Sequence, residues 1–363
     1  MQGPDSGAAA ARKALREQRW RRMAASRAWP APLFLPLAWL YGLSVALRHQ
    51  LYRLGWLRSE RLPVPVLVIG NLVAGGAGKT PATLAVVQHL QRQGWTPGVI
   101  SRGYGRASGS AMPVGAGSSA ADVGDEPLLI ARRTGAPVFV ASRRAEAGRA
   151  LIQAHPAVNV LVCDDGLQHR PLQATVRLAV FDDRGVGNGW LLPAGLLREP
   201  WPPRGAQPVP DLVWQQTPGP HAARLHAPGI PVWPVVRRLA AQAVSVDGQT
   251  LPLQQLGRAP VRALAGIARP EAFFGMLREA GVEPARCIAL PDHADADAIR
   301  AALADDPHTT VVCTEKDLVK LAGLGLSCPV WAVPLALEVP AEALQALDAA
   351  LSAYHPAHGH QTA

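Results

Sequence analysis

The run NLVAGGAGKTP, Asn71 to Pro81, sets a lysine and a hydroxyl side by side behind three glycines. This is the residue order of a phosphate-binding loop, G-x-x-x-x-G-K-[ST], except that Val73 stands at the first glycine position. Gly75, Gly76 and Gly78 leave backbone N–H groups uncovered, so that several can converge on one anion. Val73, Ala74 and Ala77 complete the nucleotide-binding stretch. Lys79 is placed to reach the β- and γ-phosphates of ATP, and Thr80 to ligate Mg²⁺. The apolar run VPVLVIG precedes the loop, and a helical run follows with Pro81 expected at its first position, so the helix N-terminus adds partial positive charge at the anion.

Carboxylates recur at the ends of other apolar runs. VNVLVCDDG closes on Asp164 and Asp165, and an acidic pair at a buried strand end beside such a loop holds Mg²⁺ directly or through water. Asp182 and Asp183 end a second such run and are expected as a strand-end turn. VGDEPLL places Asp125 and Glu126 after a Gly/Ser-rich stretch. Asp125 suits two roles equally: a general base for an incoming hydroxyl, or a cap for the helix EPLLIARR. His293, preceded by Asp292, has a structural reading as the plainer alternative to a catalytic one. Thr314 to Asp317, TEKD, lacks the spacing of the guanine-specifying NKxD motif, and no GTP specificity follows from it.

The elements that must position these groups alternate. VPVLVIGN, TPGVISRG, APVFVAS, VNVLVCDD and RLAVFDD have the Val/Ile-rich texture of buried strands; PATLAVVQHLQRQG and RRAEAGRALIQAH lie between them as helices. Such alternation predicts an α/β fold: a P-loop NTPase-like parallel sheet with helices on both faces and ligands at the strands' carboxyl ends. Residues 200–235 are dense in Pro and Gly and are expected as a linker or irregular crossover. VRALAGIA, PEAFFGMLREAG, ARCIALPDH, DADAIRAALADD and TTVVCTEKD then predict a smaller C-terminal α/β domain. The expected boundaries are 1–60, 61–225, 226–340 and 341–363, the last a short helix and a disordered tail whose His355, His358 and His360 are not metal ligands.

Composition narrows the partners. The chain has 363 residues, 48% hydrophobic, and a net charge of +9. Residues 1–61 hold eleven Lys/Arg against three Asp/Glu, and the remainder 25 against 24, so the body is near neutral and no nucleic-acid partner is expected. Four scattered cysteines fit a reducing compartment. Only four of the 36 basic residues are lysines (Lys13, Lys79, Lys316 and Lys320), which draws attention to each as a point charge.

Between Arg27 and Arg48 lie 20 uncharged residues, long enough to span a bilayer. Pro30, Pro32 and Pro36 break the first half. From Leu37 onward Leu40, Leu43, Leu47, Leu51 and Leu54 form an apolar stripe on a helix expected to continue through Arg58. Basic flanks on both sides favour a helix lying in the cytoplasmic leaflet surface over one that spans, and both over packing on the protein's own core.

Taken in order, PLAWLYG, LYRLGWL, GNLVAGGAGKTP, ISRGYGR, VGDEPLL, VCDDGLQH, GNGWLLPAGLLREP, LAGIARPEAFF, PDH and CTEKDLVKL resemble the tetraacyldisaccharide 4′-kinase family over roughly residues 33–335. The resemblance implies an ATP- and Mg²⁺-dependent lipid kinase at the cytoplasmic face of the inner membrane. Its acceptor would be the 4′-hydroxyl of an acylated disaccharide 1-phosphate, the precursor of lipid A, and no protein partner is implied. It makes Val73 a family trait, Asp125 the general base and His293 its support. Asp164 and Asp165 would serve Mg²⁺, and Arg102, Tyr104 and Arg198 would lie near nucleotide or sugar phosphate. Two departures, Ala268 where the family has Gly and Ala294-Asp295 after His293, bear on lipid-side contacts. Two other readings remain open at this point: a membrane-associated P-loop ATPase or switch, and a P-loop kinase for a soluble molecule.

Overall fold

The computed structural model describes Trp20 and residues 23–76, 78–103, 109–115, 117–217, 225–292, 294, 296–321 and 324–352. The expected tail with His355, His358 and His360 lies outside them, as does Lys13. In chain order the strands are β1 (Val66–Gly70), β2 (Pro97–Ser101), β3 (Met112–Pro113), β4 (Val138–Val140), β5 (Val160–Cys163), β6 (Val176–Phe181), β7 (Leu212–Thr217) and β8 (Val232–Leu239). They continue as β9 (Gln242–Ser245), β10 (Thr250–Pro252), β11 (Val261–Ala265), β12 (Arg286–Ala289), β13 (Thr310–Thr314), β14 (Val330–Val333) and β15 (Leu335–Glu338).

A nine-stranded sheet runs β15-β8-β7-β6-β1-β5-β2-β4-β3. From β8 across to β4 neighbouring strands pair in parallel, and the short β3 joins β4 antiparallel. The β1 sequence explains why both faces must be covered. Leu67 and Ile69 point into one core with Ala82, Val86 and Leu90 of the helix Lys79–Arg92. Val66 and Val68 point into a second core with Ala145, Ala147 and Leu151 of the helix Arg144–Ala154. Period-two alternation of purely apolar residues thus specifies a central strand, each fully buried side chain contributing roughly 1.5–3 kcal/mol. The C-terminal helix Ala341–Ser352 returns to the first core through Leu347 and Leu351.

The Pro-rich stretch is not simply a linker. LVWQQT inside it forms β7, buried at every position, and VWPVV begins β8. The bounding prolines obscured a strand that parallel pairing to β6 buries on both faces.

A second sheet runs β10-β9-β14-β13-β11-β12. β12-β11-β13-β14 are parallel, and β9 and β10 add an antiparallel edge. Phe273, Phe274 and Leu277 of the helix Pro270–Glu279 cover one face; Ile299 and Leu303 of Ala296–Leu303 belong to the other core. The chain divides into two compact units, Arg21–Val236 with Leu337–Ala363, and Arg237–Ala336 with Met1–Trp20.

The N-terminal helix occupies Leu35–Arg53, preceded by a 3₁₀ turn, Ala31–Phe34. It starts before the expected Leu37 because Pro36 sits in its first turn, where no intrahelical N–H is needed. It stops short of Arg58 because Gly55 follows the C-cap Leu54 with φ +77°, the left-handed ending that glycine favours.

Candidate active site

The loop is built from its first residue. Asn71, wholly buried beyond β1, donates from Nδ2 to the carbonyls of Val73 (2.5 Å) and Gly75 (3.2 Å). Its Oδ1 accepts from Lys79 Nζ at 3.2 Å, so one amide braces the turn and aims the lysine. Val73 is buried and bridges antiparallel to Leu197, while Ala74 N–H donates to Leu196 O at 2.7 Å. The missing-glycine position is therefore a buried point at which the loop backbone bridges to the LLPAGLLREP segment. Gly78 is required on two counts: its φ is +68°, and a Cβ there would fall 2.3 Å from the Gln216 carboxamide. That carboxamide donates to Gly78 O at 2.8 Å. Ala77 lies outside the described residues.

The helix begins at Lys79 with Gly78 as its cap, so Pro81 is the third residue rather than the first. The position still falls within the first turn, where a missing N–H costs little. Thr80, the second residue, is half-buried. Arg184 braces the loop from outside, donating to the carbonyls of Ala74 (3.4 Å) and Gly76 (3.3 Å) while its guanidinium pairs with buried Asp182 at 2.7 Å. Asp182, expected as a mere turn residue, thus anchors the arginine that holds the loop.

Register places the acidic pair. β5 lies directly beside β1, with Val68 opposite Cys163, so Asp164 and Asp165 emerge next to the loop. Gly166 permits the tight exit: a Cβ there would lie 2.5 Å from Cys163 Sγ. Asp164 Oδ1 accepts from Thr83 Oγ1 at 2.8 Å, and its Oδ2 is buried with no hydrogen-bond partner. Asp165 has a left-handed backbone, φ +50°, and its Oδ1 lies 3.5 Å from Lys79 Nζ and 3.6 Å from Arg198 Nη1.

Burial raises the Asp164 carboxyl to about 7, with the negative charges of Glu126 and Asp165 adding to it and Thr83 and Lys79 opposing. Glu126 is thus the acidic neighbour that sequence reasoning named only as part of a helix start. Because the folded value is raised, the stabilisation linked to Asp164 is fully present below its unfolded value of 3.8 and lost as pH rises through about 7. Asp164→Asn, which keeps an acceptor for Thr83, should accordingly raise the Tm of the nucleotide-free, chelator-treated protein at pH 8 by several degrees and far less at pH 4. Calorimetry at the two pH values checks this, and an equal gap at both would contradict it.

Asp125 is 4% exposed and is the first residue of the helix Asp125–Thr134. The N-cap position belongs to Gly124, φ +92°, so Asp125 is not the cap; its Oδ1 does accept from Glu126 N–H at 3.1 Å. Arg102 is exposed just beyond β2. With Arg144, Arg48 and Arg143 it adds to the effect of burial in holding the His169 imidazole down to about 4. Tyr104 and His293 lie outside the described residues. In the second unit, Asp292 accepts from Lys316 Nζ at 3.1 Å. Asp317 accepts from Thr314 Oγ1 (2.6 Å) and Gly266 N–H (3.0 Å), which makes the end of TEKD a brace between strand ends.

The assembled site has a backbone cradle, a lysine, an acidic pair with an unpartnered buried oxygen and a further carboxylate nearby. It can hold a polyphosphate and a hard divalent cation. No group of three or more His, Cys, Asp or Glu side chains set to hold a metal occurs among the described residues. The Asp164–Asp165 pair matches the one or two carboxylates that Mg²⁺ takes alongside substrate phosphates.

The sequence model of the family tetraacyldisaccharide-1-P 4′-kinase (LpxK) matches residues 30–352. A tetraacyldisaccharide 4′-kinase of Acidovorax sp. (strain JS42) is 56% identical over 317 residues, 87% of this chain and 89% of that one. Its counterpart from Polaromonas naphthalenivorans (strain CJ2) is 51% identical over 353 residues, 94% and 97% of the two chains. A crystal structure of Aquifex aeolicus LpxK, described as an "apo" form in complex with ATP, superposes with a TM-score of 0.75 at 25% identity, covering 88% of this chain and 99% of that one. The chain belongs to the tetraacyldisaccharide 4′-kinase family.

Proposed function

We propose that the protein transfers the γ-phosphate of ATP to the 4′-hydroxyl of a tetraacyldisaccharide 1-phosphate, the lipid A precursor, at a membrane surface. The observation that carries the reading is the braced loop with Lys79 set between Asn71 and Asp165. The nucleotide phosphates lie along residues 73–80, where Lys79 and the helix N-terminus offset the charge that spreads over the transferring phosphoryl group. Asp125 accepts the proton of the attacking hydroxyl, and His293 is the residue that the family resemblance pairs with it. Thr80, Asp164 and Asp165 hold Mg²⁺, which when bound supplies electrostatic stabilisation of the phosphate oxygens. Burial of the Asp164 oxygen without a partner, beside the carboxylates of Asp165 and Glu126, is the feature that fits a cation. Arg102, Tyr104 and Arg198 orient the sugar-phosphate acceptor.

The N-terminal helix supports a lipid acceptor. A soluble amphipathic helix turns its apolar stripe inward; this one does the opposite. Tyr41 and His49 face the protein, whereas Leu37, Leu40, Leu43 (67% exposed) and Leu47 face outward with Trp29 and Trp39. The span Ala31–Arg53 is long and apolar enough to cross a membrane by length and composition, and most of it is not buried against the protein. With free cysteines throughout and ATP as donor, the cytoplasmic leaflet of the inner membrane is the surface it occupies.

A combined Leu40→Glu, Leu43→Glu, Leu47→Glu variant should move the protein from the membrane to the soluble fraction without lowering its Tm. Each lost leucine weakens membrane binding by about tenfold or more. Unchanged co-sedimentation with vesicles would refute the anchor. For the reaction itself, radiolabelled ATP is offered with water, soluble sugars or the lipid A disaccharide as acceptor. Label should appear on the disaccharide alone. Release as inorganic phosphate would indicate an ATPase or switch, and transfer to a soluble sugar a small-molecule kinase.

A further inference from the structure

The inward face of the N-terminal helix sets Tyr41 and His49 beside Ala38 and Val45, and what the two polar side chains touch leads to the nucleotide loop. Tyr41, Arg48 and His49 lie in one stripe, two turns apart, and line a cavity of about 200 Å³ with Gln168, Arg198 and Glu199. Tyr41 Oη donates to the carbonyl of Arg198 at 2.8 Å. His49 Nε2 lies 3.5 Å from Glu199 Oε1, and both residues are buried, 4% and 7% exposed. Arg48 Nη2 donates to Gln168 O at 3.1 Å, and Gln168 Nε2 donates in turn to Asn71 O at 3.1 Å.

Arg198 is the point at which these contacts converge on the site. Its N–H donates to Leu72 O at 2.7 Å, one residue before Val73, and its guanidinium lies 3.6 Å from the Asp165 oxygen that also faces Lys79. A buried His–Glu pair is a poor way to gain stability. Neither His49 ring nitrogen makes a hydrogen bond, and two ionisable groups are desolvated where a leucine and a methionine would pack. Such a pair is better suited to fixing one arrangement than to strengthening it. The arrangement it fixes is the orientation of the Arg198–Glu199 dipeptide beneath the membrane helix.

We infer that His49 and Glu199, with Tyr41, are positioning residues: they couple the membrane-seated helix to the phosphoryl-transfer site by holding the Arg198 guanidinium against Asp165. The inference rests on the kinase reading above and assigns the helix a second task beyond anchoring.

The test uses the full chain on vesicles containing the disaccharide acceptor. His49→Leu and Glu199→Gln should each lower kcat on the order of 10–100-fold, with KM for ATP within about twofold and membrane binding unchanged. His49→Gln, which keeps a polar N–H group in reach of the Glu199 carboxylate, should restore most of the loss. In an Arg198→Ala background His49→Leu should cost nothing further, because the residue through which it acts is gone. Full additivity of the two substitutions, or a lowered Tm with unchanged kcat, would overturn the inference. If the unaltered protein failed to phosphorylate the disaccharide at all, the kinase reading would fall instead.

Discussion

Lys79→Ala should reduce phosphate transfer by on the order of 10³-fold or more, with the fold intact. Among the described residues, the lysine is the cation whose side chain both the loop and the acidic pair address, through Asn71 Oδ1 at 3.2 Å and Asp165 Oδ1 at 3.5 Å. In the site as proposed, its charge is needed most when the γ-phosphoryl group leaves ADP, and that interaction belongs to the transition state. Replacement also leaves the Asp165 carboxylate with Arg198 as its remaining partner and Asn71 Oδ1 without its donor, costing roughly 1–3 kcal/mol. Lys79→Arg does not rescue, because the guanidinium is broader than the ammonium the braced turn receives. Circular dichroism and Tm confirm the fold, and single-turnover transfer reads the chemistry. Activity within tenfold of the unaltered protein would remove the loop from the proposed reaction.

Much of this arrangement was legible in the residues. The strand, loop and helix around Lys79 showed because glycine placement and apolar periodicity act locally. Asp164 and Asp165 showed because an acidic pair at the end of VLVC has few other uses. What was hidden depends on neighbours remote in the chain. Arg184 and Gln216 hold the loop from segments more than a hundred residues away, and nothing in DDRG or VWQQT announces such a contact. Glu126 beside Asp164 is likewise a consequence of helix packing. β7 was missed because prolines on both sides outweighed a six-residue run with two glutamines, which parallel pairing buries nonetheless. The N-terminal helix was read correctly as apolar on its outer stripe, but its end at Arg53 depended on the backbone at Gly55, which the leucine spacing does not report.

Asp125→Asn should lower kcat by about 10²–10⁴-fold while KM for ATP changes little, the pattern of a group used in the transition state alone. The structure sharpens this choice of residue. Gly124 takes the cap position, so the aspartate is not needed to cap the helix, and its amide replacement can still accept from the Glu126 N–H. A structural role therefore predicts a nearly silent Asp125→Asn, whereas a base predicts a severe defect from the loss of one lone pair and one charge. The neighbouring carboxylate offers the control. Glu126→Gln removes negative charge beside Asp164 and should lower the Asp164 pKa, shifting the low-pH limb of activity downward rather than abolishing turnover. pH–rate profiles of the two variants separate the roles. Asp125→Asn should depress the whole profile, Glu126→Gln should displace it, and a displaced but undiminished profile for Asp125→Asn would assign the proton transfer elsewhere.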